Sequence, residues 1–264
     1  KEETIKQRYD SLKATLMLTF MIQARVGSTR LPNKILLPFY QNKCILQLLL
    51  DKLRQVDGTN IVIATSKAPQ NDAIERLAKQ ENVLCFRGEE NDVLQRFIDA
   101  AHAFDAERLI RICSDNPFLE LHSIKELVEK ARQSNCDYMS FNINGTPSIK
   151  THYGFWTEYV TRKALERVKE ATQEPLYHEH VTNYIYSHPD DFSIEWIAGP
   201  AVLATHTHVR LTTDTPSDFE TAQQVYGALC SKNPYPSIEE VINFLDHHPA
   251  LYQEMEAQIK QNSK

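Results

Sequence analysis

From Gln23 to Lys34 the chain reads Gln-Ala-Arg-Val-Gly-Ser-Thr-Arg-Leu-Pro-Asn-Lys, which brings together Arg25, Gly27, Ser28, Thr29, Arg30 and Lys34. Arginine offers a planar fork to phosphate oxygens and lysine a mobile point charge. Gly27 lets the backbone approach an anion closely, and consecutive N–H groups can form an anion nest. Phosphate binding is the chemistry these residue types fit; a solvated basic turn with surface ion pairs is the plainer alternative. The GxxxxGK[ST] loop is missing, and so is GxGxxG, which disfavours a dinucleotide site. Two aspartates suggest a second chemistry. Asp115 follows an apolar run at 108–113, and Asp214 follows another at 209–212. At one sheet edge two carboxylates can share a hard cation such as Mg²⁺, which takes oxygen ligands and keeps several waters. An Asx-turn at Asp115-Asn116-Pro117 and a helix cap at 214–217 are the competing structural uses.

The elements that must position these residues follow from hydrophobic periodicity. Residues 16–23 mix Met, Leu, Phe and Ile without helical spacing, which suits a buried strand. A helix over 41–56 follows, with a strand at 60–65, a helix at 71–80 and a strand at 83–86. Next come a helix at 90–106, a strand at 108–113, a helix at 123–133 and a strand at 137–141. Strand and helix in strict alternation predict βαβ units and a largely parallel sheet. Ligands then bind beyond the carboxyl ends of the strands. The second half is less regular. Residues 142–150 read as loop, 153–159 as an aromatic-rich strand, 162–171 and 176–188 as helices, and 193–197 and 209–212 as strands. A helix at 217–230 and a helical pair over 236–261, broken at Pro249, complete the chain. The expectation is one domain over 1–264 with a small inserted subdomain at 142–200.

Composition bounds the function classes. With 264 residues, 42% hydrophobic and 24% charged, this is an ordinary globular chain. Its net charge of −6 lacks the basic footprint expected for nucleic acid. The longest apolar run, 16–22, is interrupted by Thr19 and falls far short of the ~20 residues that span a bilayer. Glu2, Glu3 and Asp10 break any signal-peptide positive region, so 1–13 reads as a short helix and no membrane insertion is expected. Five cysteines without a CxxC pair point to core thiols in a reducing compartment, the cytoplasm. His178, His180, His206 and His208 read as surface histidines rather than metal ligands.

The 23–34 string resembles the QARxGSTRLPGK signature of the nucleotide-sugar cytidylyltransferases, in the branch of the spore coat polysaccharide biosynthesis protein SpsF, with the CMP-Kdo and CMP-acylneuraminate synthetases as more distant relatives. Further matches follow in order: Ile63-Ala64-Thr65-Ser66, Phe86-Arg87-Gly88-Glu89-Glu90-Asn91-Asp92-Val93-Leu94, Arg111-Ile112-Cys113-Ser114-Asp115-Asn116-Pro117, Glu179-His180-Val181-Thr182 and Thr213-Asp214-Thr215-Pro216-Ser217-Asp218. Together they span residues 16 to about 230.

The resemblance implies an α/β fold of Rossmann-like, GT-A-like type: a mostly parallel sheet flanked by helices, with a small inserted dimerisation subdomain. It implies a Mg²⁺-dependent transfer of CMP from CTP to a sugar or sugar acid for a surface polysaccharide, with release of pyrophosphate and a homodimeric enzyme. Arg25 and Lys34 would hold the triphosphate, with Ala24, Gly27, Ser28, Thr29 and Arg30 of the same loop around the nucleotide. Asp115 and Asp214 would carry the metal, with Arg25, Lys34 and Asp115 counting as the catalytic residues. Thr65, Ser66, Arg87, Gly88 and Asp92 would flank the cytosine, and Glu179 and His180 the acceptor. For Asp92 a plain helix N-terminal charge is the alternative. The segment His152-Tyr153-Gly154-Phe155-Trp156 is a second acceptor wall by type, or else core or dimer contact.

The chain also departs from the pattern. Asn33 replaces the usual glycine, so the backbone there either differs or sets asparagine in the left-handed region. Ser148-Ile149-Lys150-Thr151 stands where Gly-Leu-Asp-Val-Glu is frequent, in the region that faces the acceptor. Competing functions are a glycosyltransferase or a nucleotidyltransferase using another NTP, and a non-catalytic nucleotide-binding homologue.

Overall fold

Leu18, Phe20 and Ile22 face one apolar layer and Met21 the opposite one, all fully buried. A segment buried on both faces is what a central parallel strand requires. The computed structural model describes residues 17–262, so the expected helix at 1–13 lies outside them. In it this segment is β1 (Leu18–Gln23), paired in parallel with β4 (Thr59–Ser66) on one side and β6 (Arg108–Cys113) on the other. An eight-stranded sheet runs β10-β7-β9-β6-β1-β4-β5, with β5 at Leu84–Gly88, β7 at Tyr138–Ile143, β9 at Glu158–Thr161 and β10 at Ile194–Ala198. The short β8 (Thr146–Pro147) pairs with β7. β9 is antiparallel to both neighbours, while β10 pairs in parallel with β7. Residues 142–200 thus add β8, β9 and β10 to the sheet that carries β1.

Helices cover both faces. α1 (Ile45–Leu53), α2 (Asp72–Gln80), α4 (Leu121–Gln133), α8 (Pro216–Cys230) and α9 (Ile238–Asp246) supply the layer that receives Phe20 and Ile22. α3 (Val93–Ala103) and α5 (Arg162–Ala171) supply the one that receives Met21. The stripe Val93, Leu94, Phe97, Ile98 and Ala101 is buried as its spacing predicts, the larger side chains contributing about 1.5–3 kcal/mol each. α10 (Pro249–Asn262) packs on α8 and α9. Among the described residues no helix is long and apolar enough to cross a membrane.

Several expectations are corrected. The helix expected from 41 begins at Ile45, because Gln41 and Asn42 both take positive φ (47° and 62°). They turn a two-strand hairpin, β2 (Pro38–Tyr40) with β3 (Lys43–Cys44), and two left-handed residues are the turn such hairpins prefer. The loop at 142–150 contains a second such hairpin, with Asn144 and Gly145 at positive φ between β7 and β8. The strand expected from 153 starts at Glu158, and Tyr153, Phe155 and Trp156 fill the core ahead of it. The helix over 176–188 is two short ones, α6 (Pro175–Glu179) and α7 (Asn183–Ser187), interrupted at His180. Finally, 209–212 joins no sheet. Its Leu211 N–H donates to His152 O at 2.9 Å, and Thr213 N–H donates to Asp115 O at 3.0 Å. Gly154 (φ +73°) makes that docking possible, since a Cβ there would lie 3.0 Å from the Leu211 carbonyl carbon.

Candidate active site

The loop after β1 is built by backbone turns that leave donors over. Ser28 and Asn33 N–H both donate to Val26 O, Leu31 N–H to Ser28 Oγ, and Val26 N–H to the buried Asn71 Oδ1 at 3.0 Å. The N–H groups of Arg25, Gly27, Thr29 and Arg30 have no acceptor among the described residues. Asn33 adopts φ 58°, ψ 13°, the left-handed form a glycine would take freely, and the 3₁₀ turn Lys34–Leu36 follows at once. That reversal sends Lys34 inward, its side chain only 10% exposed. Asn33→Ala should therefore destabilise the fold by about 1–2 kcal/mol, whereas Asn33→Gly should stay within a few tenths. Urea melts of the three proteins check this, and equal stabilities would contradict it.

Lys34 carries the geometry of the site. Its Nζ donates to Asp115 Oδ2 at 2.9 Å, to the Thr213 carbonyl at 2.6 Å and to Asp214 Oδ1 at 3.5 Å. The two aspartates singled out in the sequence thus converge on one ammonium from separate segments. Asp115 is presented by a turn in which Asn116 N–H donates to Cys113 O. Its own carbonyl accepts from Thr213 N–H and, at 2.7 Å, from Thr213 Oγ. Asp214 precedes a capping box: Thr215 Oγ accepts from Asp218 N–H, and Asp218 Oδ2 accepts from Thr215 N–H. The cap at this helix start is Thr215, which leaves the Asp214 carboxylate free to face Lys34. Arg30 Nη2 also approaches Asp214 Oδ1 at 3.2 Å.

Asp115 and Asp214 are the residues that can hold a divalent cation. Among the described residues no cluster of three or more His, Cys, Asp or Glu side chains forms a cage. A pair of carboxylates that already focuses one positive charge still fits a hard cation, which completes its shell with phosphate oxygens and water.

The candidate base-binding residues are engaged in scaffolding. Ser66 Oγ accepts from Ala68 N–H at 3.2 Å and Asn71 Nδ2 at 2.7 Å. Asn71, absent from the sequence expectations, therefore couples the turn after β4 to the loop after β1. Arg87 donates Nε to Ser66 O and Nη2 to Ala68 O, and its Nη1 lies 2.7 Å from both Asp72 and Glu75. Thr65 is fully buried, with its hydroxyl unpaired among the described residues. A Cβ on Gly88 would come within 2.9 Å of Phe86 and Arg96. Arg96, another residue the sequence did not single out, is 1% exposed, and its Nε and Nη2 have no partner among the described residues. Burial, assisted by the charge of Arg25, pushes its pKa down to about 10.

On the far side of the site Asp92 caps α3 through Gln95 N–H at 2.8 Å. Its other oxygen meets Lys169 Nζ at 2.7 Å and His178 Nδ1 at 2.9 Å. His178 is buried rather than a surface histidine, and it ties α6 to the start of α3. Glu179 and His180 are exposed at the end of α6, with Glu179 Oε1 3.7 Å from Arg25 Nη2. Thr182 donates its hydroxyl to both Glu158 oxygens, at 3.1 and 3.2 Å. Arg30, Lys34, Asp115 and Asp214 thus form one connected set, and Arg25 with Glu179 a separate pair; among the described residues no hydrogen bond or ion pair joins Thr65, Ser66, Arg87 or Asp92 to either.

Comparison with known proteins bears on the family and the fold. The family model described as cytidylyltransferase matches residues 19–258. The spore coat polysaccharide biosynthesis protein SpsF of Bacillus subtilis (strain 168) is 32% identical over 246 residues, 91% of this chain and 98% of that protein. A cytidylyltransferase structure from Leptospira borgpetersenii superposes with TM-score 0.77 at 25% identity, covering 89% of this chain and 96% of the other. A CMP-2-keto-3-deoxy-manno-octonic acid synthetase complexed with CTP shares the fold, with TM-score 0.57 at 15% identity over 79% of this chain and 98% of the other.

Proposed function

We propose, from the premise that this chain belongs to the cytidylyltransferase family and is a nucleotidyltransferase, that it transfers CMP from CTP to a sugar or sugar acid and releases pyrophosphate. The observation that carries the proposal is the Lys34 ammonium held between Asp115 and Asp214 beside a loop with four open N–H groups. A hydroxyl of the acceptor attacks the α-phosphate in line, its oxygen forms the new P–O bond, and the bond to the leaving pyrophosphate breaks. Catalysis of such a displacement is mainly positioning and charge neutralisation. Arg25, Arg30, Lys34 and the N–H groups of Gly27 and Thr29 hold the triphosphate and the departing pyrophosphate. Asp115 and Asp214 hold the divalent cation, Mg²⁺ in this reading, which when bound neutralises phosphate charge and lowers the pKa of the attacking hydroxyl. Asp92, Thr65, Ser66, Arg87 and Gly88 shape the base side, the last four through their backbone. Glu179 and His180 border the acceptor. SpsF is named for spore coat polysaccharide biosynthesis, which supports a surface glycan as the destination of the product.

The homodimer and the cytoplasmic setting belong to the same reading. The end strand β10 exposes Trp196, and the five cysteines are unpaired. Light scattering at the monomer mass would contradict the dimer.

Thermal denaturation with each of the four nucleoside triphosphates, with and without Mg²⁺, tests nucleotide choice. A ligand at a hundred times its Kd adds about 2.7 kcal/mol. The expected result is a rise in Tm with CTP that Mg²⁺ enlarges. A larger rise with UTP, GTP or ATP would replace CTP in the proposal, and no rise with any would favour a non-catalytic homologue.

A further inference from the structure

Arg210 is an arginine with 1% of its side chain exposed, and every contact it makes is one it donates. Nε and Nη2 grip Asp218 at 2.7 and 2.9 Å, and Nη2 also reaches Asp214 Oδ2 at 3.2 Å. Nη1 meets His152 Nδ1 at 2.9 Å. A guanidinium has no lone pair to give, so the imidazole must be the acceptor there. That fixes the ring as the neutral tautomer, with Nδ1 bare and the hydrogen on Nε2. Burial, and after it the charge of Arg210, lower the His152 pKa, in agreement with a neutral ring.

The other edge of the ring is open. Nε2 has no partner among the described residues, and it is not sealed from solvent in this half-buried side chain. His152 is therefore an oriented N–H donor one guanidinium away from the candidate metal carboxylate Asp214, on the segment whose carbonyl also anchors Leu211. A neutral imidazole that accepts at Nδ1 carries its hydrogen on Nε2, so the solvent-reaching edge of this ring is a donor held in a fixed direction by Arg210.

We propose that His152 is an acceptor-binding residue: its Nε2–H donates to an oxygen of the acceptor sugar close to the attacking hydroxyl. The inference rests on the cytidylyl-transfer reading and deepens it, because it names a contact for an oxygen-rich acceptor. The oxygen can belong to a carboxylate or to a hydroxyl, and the substrate panel below separates the two.

His152→Asn is the informative variant. Its amide oxygen takes the place of Nδ1 and keeps Arg210 satisfied, while the outer donor is lost. Long-range ¹H–¹⁵N spectra of the wild type at neutral pH, with His152 identified by its loss in the variant, should report the Nε2–H tautomer. Steady-state rates with CTP, Mg²⁺ and either 3-deoxy-2-ulosonic acids or aldose 1-phosphates should show the acceptor KM raised about tenfold in His152→Asn, the size of one lost hydrogen bond. KM for CTP and the melting temperature should be unchanged. An Nδ1–H tautomer, an imidazolium, an unchanged acceptor KM, or equal rises in both KM values would each overturn the proposal. If the wild type turns over no acceptor with CTP, the transfer reading fails, and the spectrum still decides the tautomer on which His152 was placed.

Discussion

Asp115→Asn is expected to slow nucleotidyl transfer by about 10²–10³-fold, the size found when one electrostatic stabiliser is removed from such a site, while the protein stays folded. Asparagine keeps the shape of the side chain and removes its charge. The bonds that fix the local backbone do not use that carboxylate: Thr213 N–H and Oγ both donate to the Asp115 carbonyl. What is lost is the negative partner of Lys34 at 2.9 Å and half of the carboxylate pair proposed to hold the divalent cation. The ammonium would then rest on Thr213 O and Asp214, which is already approached by Arg30 and Arg210. Initial rates of pyrophosphate release, with a thermal melt on the same preparation, check the expectation. A rate near that of the wild type would remove Asp115 from the chemistry.

The second large effect concerns stability. Glu158 is 2% exposed, and it accepts from Arg111 Nη1 at 2.7 Å, from the Tyr138 hydroxyl and from Thr182 Oγ. Arg111 in turn donates from Nη2 to Gln23 Oε1 at 2.9 Å, at the end of β1. Removing one member of a buried pair leaves the other charge uncompensated in a poor dielectric, a loss of about 3–5 kcal/mol. Glu158→Ala should therefore lower unfolding free energy by that amount in urea titrations. Thr182 and Tyr138 lose their acceptor as well, so the tie between β9 and the segment carrying Glu179 loosens. A loss under about 1 kcal/mol, the range of an exposed pair, would show that the network contributes little to holding the site's far wall.

Which features were legible follows from how local each one is. β6 and α5 match their expected bounds, and β1 differs only at its start, because apolar runs and periodicity are properties of neighbours in sequence. The Thr215–Asp218 capping box is likewise local, four consecutive residues that announce a helix start. The expected helix over 41–56 starts too early because Gln41 and Asn42 turn a hairpin too short for a periodic signal. The split at His180 was hidden because α6 and α7 have five residues each, barely one turn apiece.

In the site, Arg25, Asp115 and Asp214 are legible because each stands just after an apolar run, and Lys34 because it shares the loop of basic and hydroxyl residues with Arg25. Asn71, Arg96, Glu158 and Arg210 are not. The Val26–Asn71 bond spans 45 residues and the Gln23–Arg111 bond 88, so no sequence window contains both partners. The segment 209–212 has the pattern of a sheet strand but joins no sheet. It delivers Asp214 to the same edge by docking on His152 and Asp115 instead.

The most direct test of the account is ³¹P NMR of the protein with CTP, Mg²⁺ and a panel of ulosonic acids and sugar phosphates. The account predicts free pyrophosphate together with a new CMP-ester resonance for at least one acceptor, both reduced at least about a hundredfold over the same interval when Asp115→Asn replaces the wild type. No pyrophosphate from CTP with any member of the panel, or the same yield from the variant, would contradict it.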